Sequence, residues 1–114
     1  MPSDKPLINA EALDSLRELG GEEFVVEIIG IFTEDTPTRI KELHTSFAAS
    51  DTGAFVRAAH SIKGSSSNLG AENLRTLAET LEQDAKRDGL AGLGARIAEI
   101  EESFQRTVEA LANR

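Results

Sequence analysis

An all-α fold, an antiparallel four-helix bundle with a short additional N-terminal helix, is what this 114-residue sequence predicts. Apolar residues recur at helical spacing along the whole chain, and no stretch alternates apolar with polar as a half-buried strand would. Capping residues and glycines fall at the edges of four long amphipathic segments, whose short connections favour antiparallel neighbours.

In chain order, Asn9 caps a short first helix carrying Leu13, Leu16 and Leu19. It stops at Gly20-Gly21, because glycine readily takes the left-handed conformation that ends helices. The next helix begins near Glu22, where acidic residues meet the positive end of the dipole, and carries Phe24, Ile28, Ile31 and Phe32 on one side. Pro37 removes a backbone donor and disfavours helical geometry at Thr36, so a kink or a restart is expected before Ile40, Leu43 and Phe47. Asp51 caps the third helix, which ends around Gly70, and the fourth runs from about Ala71 to Arg87 on Leu74, Leu77, Ala78 and Leu81. After the turn-rich "RDGLAGLG", the last helix carries Ile97, Ile100, Phe104, Val108 and Leu111.

The length suits one domain, residues 1–114, burying roughly two-thirds of its unfolded surface. With 39% hydrophobic and 28% charged residues the composition is globular, and five Phe without Trp or Tyr predict an aliphatic core. A net charge of −8 makes nucleic acid and anionic membranes poor partners, since phosphate binding needs a cationic field. Without cysteine there is no disulfide, thiolate nucleophile or cysteine metal site. "FVVEIIGIF" is interrupted by Glu27 and too short to span a bilayer, and "MPSDKPLINA" holds no hydrophobic signal segment. A cytoplasmic monomer is expected.

The third helix contains "AAHSIKGSSSNLG", which puts a glycine and three serines where good helix formers belong. At about 100° per residue, Phe55, Ala59, Ile62, Ser66 and Leu69 form its core stripe. His60 lies off that stripe, on a second face shared with Val56, Lys63, Gly64 and Ser67. Gly64 costs the helix about 1 kcal/mol relative to alanine. In return it clears the approach to the imidazole, and Lys63 brings positive charge within reach of anything anionic on His60. Near neutral pH imidazole is a nucleophile with one free lone pair, so this collar suits reversible capture of a phosphoryl group. A surface histidine and a mid-helix glycine also occur without function, the glycine for close helix packing, and spacing alone leaves both readings open.

"AHSIKGSSSNLG" resembles the histidine phosphotransfer (HPt) motif: a phosphorylatable His, Lys at i+3, Gly at i+4, small residues and a helix-ending Gly, matched by His60, Lys63, Gly64 and Gly70. "LGGEEF", "FTEDTP" and "LAETLEQDAK" also look like HPt counterparts, so the likeness covers nearly the whole chain. The resemblance implies an HPt four-helix bundle in which His60 carries phosphate on its distal nitrogen between aspartates of response-regulator receiver domains, supplied by a hybrid histidine kinase. Transfer needs the partner's aspartate within bonding distance of His60, so the partner surface is expected to centre on Val56, His60, Lys63, Gly64 and Ser67; the resemblance implies that the first helix and the adjacent part of the second complete it, though which of Leu13, Leu16 and Phe32 face outward is not legible. Some HPt domains place a Gln on the facing helix to orient the imidazole. The matching position here is Glu82, not Gln83; its carboxylate suits the same hydrogen bond, and a solvated helix-face role is equally open.

The reading is of a carrier, not an enzyme. No phosphate-binding loop for ATP is present, no metal or other cofactor is called for, and Mg²⁺ is expected on the partner receiver. His44, among Ile40, Leu43 and Phe47, lacks the collar and is expected to pack at the core boundary. Arg57 and Arg75 add positive potential near the site or are solvated, and Glu99, Glu101 and Glu102 form a solvent face. Two rival readings are the phosphoacceptor domain of a chemotaxis-type histidine kinase, favoured if the gene continues beyond Arg114, and a non-phosphorylated adaptor bundle.

Overall fold

A computed structural model describes residues 5–114 of the chain, so the first four residues of the stretch read for a signal segment lie outside it. Among the described residues four α-helices follow one another: α1 (Ala10–Ala48), α2 (Thr52–Leu69), α3 (Glu72–Asp88) and α4 (Gly94–Ala112). Each of α1 and α3 packs on both α2 and α4, which makes a square antiparallel bundle of 43 × 24 × 21 Å.

The expected short first helix is the opening segment of α1. Asn9 caps it, its side-chain oxygen accepting from Glu11 N at 3.0 Å, and the helix breaks direction at Gly21, whose φ of 78° and ψ of −176° are non-helical. Pro37 corrects the sequence reading, because the helix neither kinks out of helical angles nor restarts there. Phe32, Thr36, Ile40 and Leu43 are buried on both sides of the proline, so packing carries the helix through it. Pro37 itself is exposed, on the side where water can satisfy the carbonyl it leaves without a donor.

Asp51 caps α2 by accepting from Ala54 N at 3.1 Å. Gly70 ends α2 with φ 75°, and Ala71 N donates back to Ser66 O at 2.9 Å, so one tight turn leads into α3. The first residues clasp this turn: Asn9 N donates to Gly70 O at 2.7 Å and Asn73 N to Pro6 O at 3.0 Å. A side chain at Gly70 would put its Cβ 2.6 Å from Ala12 Cβ. The opening segment of α1 therefore covers this end of the bundle.

Inside, the core is mainly aliphatic, as the composition predicts, with Phe32 and Phe104 in tilted contact at 5.4 Å between ring centroids. Among the described residues no helix is long and apolar enough to cross a membrane.

Candidate phosphoacceptor site

His60 stands midway along α2 with 64% of its side chain exposed. Its core-facing neighbours Ala59 and Ile62 are fully buried and fix the rotation of the helix, so the imidazole is presented outward toward the α3 side. Gly64, one turn on, is exposed, and a Cβ built there would meet nothing within 4 Å. Close helix packing is thus not the reason for a glycine at this position. Lys63 is partly covered, Ser67 is exposed, and Val56 is half-buried against the core.

Glu82 comes from α3, across the tight turn, and its side chain is only 2% exposed. One oxygen, Oε2, lies 3.0 Å from His60 Nδ1. Lys63 Nζ sits 2.9 Å from the other oxygen, Oε1, in an ion contact that leaves Oε1 without an aligned hydrogen bond. Lys86, one turn along α3, brings its Nζ to 3.2 Å from Oε2. Burial pushes the Glu82 carboxyl upward, but Lys63, Lys86 and His60 together outweigh that and hold it below its ordinary 4.5. Glu82 is therefore ionised at neutral pH. An ionised carboxylate only accepts, so the proton of this hydrogen bond belongs to Nδ1. In the neutral ring that leaves the Nε2 lone pair free.

His44 is not at the core boundary. Its side chain is 53% exposed and faces α4, with Nε2 3.3 Å from Glu101. It follows Leu43, the centre of the buried stripe, by about 100°, which rotates it onto the rim. Arg75 pairs with Glu79 and Glu72 along its own helix, whereas Arg57 makes no ion pair among the described residues. Of the α1 residues whose direction was open, Leu13 and Phe32 are buried and Leu16 packs partly against the core. Among the described residues the exposed large apolar ones are Leu19, Val26 and Ile31. Ile31 shares the helical phase of Thr38 and Glu42, which border a groove against α2, while Val26 shares that of His44 on the α4 side. Sequence reasoning missed Lys86 altogether; its signal was only an i,i+4 Glu-Lys spacing of the kind common on solvated helices.

The Hpt domain family model matches residues 27–113 of the chain. The crystal structure of histidine-containing phosphotransfer protein B from Pseudomonas aeruginosa superposes with a TM-score of 0.88 at 31% identity, over 96% of this chain and 95% of that one. The HPT domain of a sensor hybrid histidine kinase from Shewanella shares the fold, with a TM-score of 0.77 at 16% identity over 94% and 92% of the two chains. Phosphorelay intermediate protein rdeA of Dictyostelium discoideum is 29% identical over 94 residues, 82% of this chain but 37% of that protein. The chain thus spans little more than a third of that curated relative.

Proposed function

The chain belongs to the Hpt domain family, and on that premise we propose that it is a phosphorelay intermediate that carries a phosphoryl group on Nε2 of His60. Its partners in this reading are response-regulator receiver domains and a hybrid histidine kinase. The observation that supports it best is the exposed imidazole whose Nδ1 is tied to a buried, ionised carboxylate while the approach over Gly64 is open.

The chemistry follows from that arrangement. The Nε2 lone pair attacks phosphorus of an aspartyl phosphate; the Nε2–P bond forms as the P–O bond breaks, and the aspartate carboxylate departs with the electron pair. The Nδ1 proton stays between His60 and Glu82, so no base has to remove it. Glu82 orients the ring, fixes the tautomer and stabilises the positive charge the ring gains on phosphorylation. Lys63 balances the charge of the phosphoryl oxygens, and Gly64 lets the partner close on the ring. Mg²⁺ and the accepting aspartate are the receiver's contribution, and the carrier works as a cytoplasmic monomer with no metal, cofactor or ATP site of its own. His60, Lys63, Gly64, Ser67 and the accessible part of Val56 form the centre of the partner surface.

Transfer of label from a phosphorylated receiver domain tests the assignment. Wild type and His44→Gln are expected to acquire an acid-labile, alkali-stable phosphate, and His60→Gln none. Label retained by His60→Gln overturns it.

A further inference from the structure

One buried carboxylate needs one cation, yet Glu82 has two lysines on it besides the imidazole. With Glu82 ionised and His60 neutral, Lys63 and Lys86 leave the cluster one positive charge in surplus, in a chain whose net charge is −8. The two lysines are not equivalent. Lys63 lies on α2, one turn from His60 on the same face, and is partly covered. Lys86 lies on α3, one turn beyond Glu82, and is 53% exposed.

The arrangement changes its balance when a phosphoryl group arrives. Its dianionic oxygens then compete with Glu82 for Lys63. Were Lys63 the only lysine present, leaving would strip the buried carboxylate of its ammonium partner, and an uncompensated buried charge is among the more costly states in a protein. Oε1 would lose the ammonium that lies 2.9 Å from it. Lys86 removes that penalty, because its flexible stem keeps an ammonium on the carboxylate after Lys63 has gone.

We propose that Lys86 is a positioning residue for phosphotransfer: by keeping Glu82 neutralised, it frees Lys63 to leave that carboxylate for the phosphoryl group on His60. This rests on the reading of His60 as acceptor and Lys63 as the phosphoryl cation. Lys86 acts through Lys63, so its effect vanishes when Lys63 is absent. A cation that attracted the phosphoryl group directly would act whether or not Lys63 were there.

The experiment needs no cognate receiver. Phosphoramidate is the donor: Nε2 attacks phosphorus, the donor's N–P bond breaks and ammonia leaves, with phosphohistidine followed by ³¹P NMR. Lys86→Met is expected to slow loading of His60 by about tenfold, the scale of one charge-assisted hydrogen bond lost from the transferring state. Lys63→Ala is expected to slow it at least as much, the double variant no more than Lys63→Ala alone, and Lys86→Arg to load near the wild-type rate. Lys86→Gln repeats the test with a second neutral side chain, and the helical melt reports whether each variant is folded. Wild-type loading by Lys86→Met and Lys86→Gln overturns the proposal, as do additive losses in the double variant or failure of Lys86→Arg to rescue. If wild type itself takes no phosphate on His60, the phosphoacceptor reading falls and this proposal falls with it.

Discussion

Replacing Gly64 separates what the helix wants from what a partner needs. The position is helical, exposed and empty around a notional Cβ, so Gly64→Ala gains the full propensity difference with no clash to offset it. That difference is about 0.8–1 kcal/mol in favour of alanine. For a domain of this size it raises the melting temperature by about 4 °C. Gly70→Ala makes the opposite case, because φ is 75° there and a Cβ would lie 2.6 Å from Ala12 Cβ; about 1 kcal/mol or more is lost. Urea and thermal melts followed by helical circular dichroism measure both changes, and transfer from a phosphorylated receiver measures function. Gly64→Ala is expected to be more stable than wild type and Gly64→Gln to transfer phosphate markedly more slowly while remaining folded. If Gly64→Ala is destabilised, the glycine serves the fold and the reasoning fails. Wild-type transfer by Gly64→Gln removes the clearance role as surely.

Two further outcomes follow from the charges and the exposed faces. The Glu82 carboxyl is held below its ordinary 4.5 in the folded protein, so its stabilising contribution is present above the unfolded value and is lost as pH falls through the folded one; the stability difference between wild type and Glu82→Gln, from urea melts between about pH 6 and pH 3, is expected to change across that acid range, and a constant difference refutes the linkage. Amide NMR shifts on adding an unphosphorylated receiver are expected at residues 56–67, and Ile31→Glu, on the α2 side of α1, is expected to raise the Kd by about fivefold or more. Val26→Glu, on the α4 side, is expected to leave it unchanged, and equal losses from the two substitutions refute the placement of the docking surface.

The order of elements was legible because the punctuation is local: Asn9, Asp51 and Gly70 act within a turn of their own positions. Pro37 was misread because its local cost is real, and only the buried residues flanking it reveal what offsets that cost. The direction of α1's apolar residues was hidden for another reason. Between Phe24 and Phe32 they occur nearly all round the helix, so periodicity does not separate buried Val25 from exposed Val26. His60, Lys63 and Gly64 stand together in one turn of sequence and could be recognised as a group. Glu82 could be named only through resemblance, and Lys86 not at all, because their significance arises where α3 meets α2.

The tight turn at Gly70 and Ala71 joins the two helices that hold His60 and Glu82, so those groups meet across 22 residues of chain. The clasp from Asn9 to Gly70 closes a much longer loop. Loop-closure entropy favours the shorter connection, so during folding the α2–α3 hairpin is positioned to close first and the N-terminal clasp to follow. The clasp is correspondingly the piece able to fray while His60 and Glu82 keep their register. Register is also where the hairpin is brittle: one residue inserted within α3, between Leu74 and Glu82, would turn the part of the helix beyond it by about 100° and carry Glu82 away from the imidazole, even if every helix survived.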